Sequence, residues 1–470
     1  MPRAVPGPRS LGLLPTLRLG LFQACLGCLA VVFAGMLNRV MISELNFPGL
    51  LVGGALAFEQ FVSPARVLFG QLSDSHPLAG RHRVPYIWIG TALFCGLAVL
   101  SIPLIFHVAR LLQAGDSLAL AAGVVALCGL FAAYGLAISM ASTPYLALVI
   151  DRTDERERPR AVSIIWCLLT VGIVIGAISI AIGLRGLDGV QDPAVLEPVL
   201  FGFMGRLVVV VLLLTVLATL GMESRGAPGS PSQAGSRDDG ITLRQAWALI
   251  TSSRQVLVFF LFLVLFTLAL FLQDPILESY GAEVFGMPIA ATASLNALWG
   301  IGTLIGLLLA GLWIVPRLGK LATARLGCQL MAASLLLLLL AGLTARVPVL
   351  QAVLFLFGLA AGIGTNSALV LMLDLTLPEA AGTFVGVWGL AQAMSRALGK
   401  VFGGGLLDLG RWLQDLTGLG ATAFPPYALV LGIEALVALA SLALLARVNL
   451  RQFREDTGRS LSKVLALEIG

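Results

Sequence analysis

Charge is what this chain lacks most: 12% of its 470 residues are Asp, Glu, Lys or Arg, against roughly a quarter in an ordinary soluble domain. With 58% hydrophobic residues, that scarcity excludes a water-soluble globule and predicts a membrane protein. Histidine is nearly absent as well. His76 and His82 share one polar loop and His107 lies at the end of an apolar run, which excludes a metal site built mainly of imidazole. HExxH, a Walker sequence and a strand-borne GxGxxG are all missing, so the chain is not expected to be an enzyme. Alternating ten-residue strands are missing too, which leaves helices as the spanning element. Six cysteines sit in or near apolar runs, and Cys25 and Cys28 form a CxxC inside the first of them, with no His following. They are read as small buried residues rather than ligands.

What is present is a series of apolar runs, each long enough to cross about 30 Å of hydrocarbon as a helix. Twelve can be drawn, at 18–37, 48–69, 86–107, 118–148, 161–184, 198–221, 255–273, 288–314, 322–343, 348–373, 381–405 and 426–446. A basic, Pro-rich leader (MPRAVPGPRS) precedes a first run of full length without a cleavage signature, so that run is expected to be a retained span. Most of the 30 Lys and Arg fall in one alternating set of loops and tails, whereas the other set holds only Arg39, Arg110, Arg185, Arg346 and Arg411. That asymmetry predicts both termini on the cytoplasmic side of the membrane. The net charge of +5 is mostly this orientation signal and implies no nucleic-acid partner; membrane lipid is the partner it implies.

Between spans six and seven lies ESRGAPGSPSQAGSRDDG (223–240), a flexible linker by composition. The following ITLRQAWALITSSRQ is either an interfacial helix or an early start to span seven. The expected division is therefore 1–222, a six-helix bundle; 223–254, a cytoplasmic linker; 255–450, a second six-helix bundle; and 451–470, a cytoplasmic tail. An internal repeat supports it. STPYLALVIDRT (142–153) aligns with TNSALVLMLDLT (365–376), pairing Asp151 with Asp374, and Trp166 and Trp388 follow at similar distances. GQLSD (70–74) and GLWIVPRLGK (311–320) form a weaker second echo, at the loops after spans two and eight. Both resemble the loop motif of the major facilitator superfamily. The expected fold is thus all-α: twelve transmembrane helices in a six-plus-six pseudo-twofold arrangement around a midplane cavity.

Ionisable residues inside spans are costly and so informative. Glu59 and Arg66 stand in AFEQFVSPARVLFG, about 10 Å apart along the axis. Glu59, near mid-span, is either a cavity-facing functional acid or a structural partner of a neighbouring helix. Arg66 is expected at the cytoplasmic gate, with Asp74 and the Asp151 loop. Arg396, Lys400, Glu434 and Arg206 complete the cavity candidates; a buried pair of Glu434 with Lys400 or Arg396 is the structural alternative. Arg83 and Arg152, the latter in the charged loop DRTDERERPR, are further gate candidates beside Asp74.

LNRVMISEL (37–45), PARVLFGQLSDSHPLAGRHRVPYIW (64–88) and VIDRTDERERPRAV (149–162) resemble the bacteriochlorophyll delivery family, the PucC and LhaA type assembly proteins of phototrophic bacteria and their cyanobacterial relatives. The matching positions are Asn38, Arg39, Glu44, Arg66, Asp74, Arg83 and Asp151. Purple-bacterial members carry a basic residue where Leu72 stands and GWRR where GRHR stands. The resemblance implies a carrier of bacteriochlorophyll or chlorophyll, or an assembly factor for light-harvesting complexes, with no intrinsic cofactor. Tetrapyrrole pigment, light-harvesting polypeptides and a pigment synthase are the partners it implies. A chlorin magnesium would then take Glu59, Gln60, Asn296, Asn366 or a water as its axial ligand. The rival expectation is a proton-coupled transporter of a small anionic or amphipathic solute, with Glu59 as its proton site and Arg396 or Lys400 contacting the anion.

Overall fold

In a computed structural model, residues 12–153, 158–187, 190, 192–223, 254–375, 381–418 and 422–449 are described. Residues 224–253, which hold all but the ends of the linker and of the candidate interfacial helix, and the C-terminal tail lie outside these residues. Every predicted run coincides with helix. In chain order these are α1 Leu13–Glu44, α2 Gly49–Phe61, α3 Ala65–Ser75, α4 Val84–Ala114, α5 Ser117–Arg152, α6 Arg158–Gly183 and α7 Pro193–Thr219. The second half follows with α8 Arg254–Phe271, α9 Leu277–Glu283, α10 Ile289–Leu318, α11 Lys320–Thr344, α12 Val347–Leu375, α13 Ala381–Thr417 and α14 Phe424–Ala446. Among the described residues, ten helical runs are long and apolar enough to cross a membrane, and expected spans two and eleven are not among them. In span two the turn at Val62–Pro64 splits the helix into α2 and α3, as expected where a proline removes a helix donor.

The helices sort into two compact units. One gathers the chain up to Phe47, Gly54 through α7, and Pro288–Ala297; the other gathers Pro48–Gly53, α8, α9 and the chain from Leu298 onward.

Close helix crossings within each unit repeat the same pattern. In the first unit, a Cβ added at Gly172 of α6 would lie 1.9 Å from Ala24 O of α1, and one at Gly135 of α5 would lie 2.5 Å from Glu59 O of α2. In the second, a Cβ at Gly403 of α13 would lie 2.1 Å from Leu272 O, just past α8, and one at Gly358 of α12 would lie 2.3 Å from Trp299 O of α10. Spans one with five and two with four are thus matched by seven with eleven and eight with ten. Without a hydrophobic drive between helices in lipid, such backbone-to-backbone approach is what holds them. By this correspondence Trp299 occupies in the second unit the place of Glu59 in the first.

The chain leaves α1 and α9 by one device. Asn46 and Gly286 adopt left-handed φ of 54° and 64°, and a proline follows two residues later in each case, at Pro48 and Pro288. Phe47 N–H then reaches back to Met41 O at 2.8 Å, and Met287 N–H to Gly281 O at 3.0 Å. Both bonds satisfy carbonyls that the helix end would otherwise leave without donors.

Candidate functional site

Among the described residues, a group of polar side chains gathers in the second unit where α8 ends. Helix stops at Phe271, and Gln273-Asp274-Pro275 follows before α9. Lys400 Nζ of α13 lies 3.9 Å from Asp274 Oδ2, with the lysine side chain 8% exposed. Glu434 of α14 is fully buried and accepts the Gln273 N–H at 3.2 Å through Oε1. Its Oε2 and the Gln273 Oε1 have no hydrogen-bond partner among the described residues. Lys400 therefore pairs with Asp274 rather than with Glu434, because the break after α8 brings both a carboxylate and a free backbone donor between α13 and α14. A turn earlier on α13, the Arg396 guanidinium stacks on Phe271 at 4.6 Å, and Phe271 meets Trp299 edge-on at 6.2 Å. The Trp299 indole N–H is buried without an acceptor among the described residues. The arrangement sets aromatic rings and a guanidinium beside hydrogen-bonding groups.

Pro48–Gly53 joins this unit through α13. Asp408 Oδ1 and Oδ2 accept the Gly49 and Leu50 N–H groups at 2.6 and 2.7 Å, and so cap the first turn of α2.

In the first unit, the residues carrying the family resemblance at span one form a buried ion pair. Arg39 reaches Glu44 Oε1 at 3.2 Å through one terminal nitrogen and at 3.3 Å through Nε, and donates to Thr292 Oγ1 at 2.9 Å. Asn38 beside it is also buried. Where the loop before α4 meets the end of α5, Arg83 Nε lies 3.2 Å from Asp151 Oδ2, and Arg83 also donates to Ser73 Oγ at 2.7 Å. Arg152 donates to Met222 O. Glu223 accepts the N–H groups of His82 at 2.5 Å, Arg83 at 3.1 Å and Val84 at 2.8 Å, which caps α4 with a carboxylate. Arg83, Asp151 and Arg152 are thus collected at one end. The side chains of Asp74 and Asp374 lie outside the described residues, and Arg66 is exposed on α3.

Glu59 is half-buried on α2, with the Gln60 amide 3.4 Å away and no ion pair among the described residues. Arg66, past the Pro64 turn, does not join it. Arg206, expected with the cavity residues, lies instead on an exposed stripe of α7 and donates to Gly202 O at 3.2 Å. The inward face of that helix is taken by Phe203, Met204, Val208 and Val211, so residue 206 falls on the opposite side.

Sequence reasoning missed Gln273, Asp274, Trp299, Asp408, Ser73 and Glu223 as partners. Asp274 and Asp408 lie just beyond predicted span ends, where a charge costs nothing unusual and so draws no notice. Cys25, Cys28 and Cys95 are buried, and no cluster of three metal-ligating side chains occurs among the described residues.

Solved structures with this arrangement are membrane transporters. The nucleoside transporter NupG superposes with a TM-score of 0.67 at 14% identity, covering 92% of this chain and 98% of that one. A bacterial homologue of the iron transporter ferroportin, in an inward-facing state, gives 0.65 at 15% identity over 93% and 99%. At such identity the likeness defines the class alone: a multi-span α-helical membrane protein of major facilitator type. A family profile described as "PUCC protein" matches residues 36–453. The chain belongs to that family. "Protein PucC" of Cereibacter sphaeroides is 30% identical over 438 residues, covering 93% of this chain and 92% of its own. From Rhodobacter capsulatus, a protein named "Uncharacterized protein in puhA-bchM intergenic region" is 32% identical, covering 87% and 83%. Another from that organism, named "Bacteriochlorophyll synthase 44.5 kDa chain", is 31% identical, covering 91% and 94%.

Proposed function

We propose that this protein carries bacteriochlorophyll or chlorophyll in the membrane and serves the assembly of light-harvesting complexes, without being an enzyme or holding a cofactor of its own. Membership of the PucC family over residues 36–453, with a relative named for bacteriochlorophyll, is the observation that carries this. The chemistry of the second unit is compatible. A chlorin is flat and largely apolar, with carbonyl acceptors at its rim, and the Arg396, Phe271 and Trp299 group offers stacking together with an unused N–H donor. Its magnesium, as part of the cargo, takes one oxygen or nitrogen ligand; Glu59, Gln60, Asn296, Asn366 or a water would supply it. Light-harvesting polypeptides and a pigment synthase are the partners on this reading, and the location is a bacterial inner membrane with both termini in the cytoplasm. Trp299→Phe keeps an aromatic ring, though a smaller one, and removes the donor. It is expected to lower the pigment recovered with the protein while leaving its folded yield intact; unchanged recovery would remove Trp299 from the site.

A second reading is a proton-coupled transporter of a small anionic or amphipathic solute. Half-buried Glu59, without an ion pair among the described residues, favours it. Uptake into liposomes that collapses in Glu59→Gln supports this reading, and absence of any uptake removes it.

A further inference from the structure

Arg206 raises a separate question. It sits near the middle of α7, on an exposed face shared with Phe201, Val209, Val210, Leu213 and Leu217. The outer end of α7 is marked by Glu197, which pairs at 3.2 Å with Arg110, itself 63% exposed. At 1.5 Å per residue, Arg206 lies about 13 Å inward of that pair. Its Nε is used by Gly202 O, and its two terminal nitrogens have no partner among the described residues. A guanidinium facing hydrocarbon at that depth costs at least about 2.5 kcal/mol, and its helix-directed bend toward Gly202 leaves it well short of the Glu197 level. Beside it, a Cβ added at Gly202 or Gly205 would meet nothing within 4 Å, so the surface is recessed where the charge emerges.

We propose that this stripe of α7 is a docking face for a transmembrane helix of another polypeptide, one that carries an aspartate or glutamate in its own span. A carboxylate matches the two open nitrogens of Arg206 in bidentate geometry and cancels its charge away from water. Gly202 and Gly205 let a helix backbone approach closely enough to bring that carboxylate to the right depth. A phospholipid phosphate lies outside the Glu197 level and does not reach it. The inference is independent of whether the protein carries pigment.

The test places a benzophenone side chain at Val209 of the full-length protein in the membranes of its own host and compares Arg206 with Arg206→Leu and Arg206→Lys after irradiation. The expected product is a polypeptide adduct whose cross-linked segment is an apolar span containing an acid. Its yield falls about fivefold or more in Arg206→Leu, survives in Arg206→Lys, and falls equally when the partner's acid is neutralised. Lipid adducts alone, a captured span without an acid, or a yield indifferent to Arg206→Leu overturns the proposal. Lipid accepts leucine, so the variant should fold; if its level drops, Arg206→Gln carries the comparison.

Discussion

Removing one partner of the Arg39 and Glu44 pair should be far worse than removing both. Their side chains are 6% and 9% exposed, so neither charge can turn to water. Glu44→Leu removes the carboxylate that faces two of the guanidinium nitrogens, while the bond from Arg39 to Thr292 Oγ1 at 2.9 Å stays in place. Breaking a buried pair from one side costs about 3–5 kcal/mol, whereas replacing both members by apolar residues of similar size is often neutral or stabilising. For a unit of this size each kcal/mol moves the melting temperature by about 2–4 °C. Glu44→Leu and Arg39→Met should therefore each lower it by about 10 °C, while the double variant should melt within a few degrees of the parent. Thermal unfolding in detergent, followed by thiol labelling of the buried cysteines, reads all four proteins at one scan rate. Singles that melt like the parent, or a double variant as unstable as the worse single, would refute the assignment of this motif to structure.

Glu223→Ala removes the acceptor shared by the His82, Arg83 and Val84 N–H groups, and should cost about 1–2 kcal/mol; faster hydrogen exchange confined to the start of α4 would show it, and unchanged protection would contradict the cap. Gly172→Leu must push α6 off α1, since even a Cβ would sit 1.9 Å from Ala24 O, so folded yield should collapse, while Gly129→Ala, which meets nothing within 4 Å, should be silent. Glu59→Gln should reduce the pigment bound by the purified protein without changing its melting temperature, and a variant unchanged in both would make Glu59 a bystander.

Periodicity and charge located the helices well because both report on lipid: a run must be apolar to span, and Lys and Arg mark its ends. The Asp151 and Asp374 repeat likewise points to the helix ends at which the two residues stand, near the ends of α5 and α12. Pairing was harder to read. Glu434 and Lys400 share depth in the sequence, yet Lys400 turns to Asp274, because α8 unwinds just before a proline and presents groups that no span boundary announces. Glu223 opens what composition marks as a flexible linker, but its carboxylate is fixed by three backbone donors from a loop far away in sequence. Arg206 was misplaced by a different route, since an apolar helix with little amphipathic bias gives no signal of which face is inward. Glycines carried more than they announced: Gly135 and Gly358 place Glu59 and Trp299 at corresponding crossings, a relation that no matching residue identity reveals.

The absorbance spectrum of the protein, purified in mild detergent from membranes of a phototroph that makes bacteriochlorophyll, tests the central claim most directly. Carriage of pigment predicts a chlorin band in near-stoichiometric amount that is lost when pigment synthesis is blocked. A correctly folded protein that emerges without pigment from pigment-replete membranes, in several detergents, would contradict it.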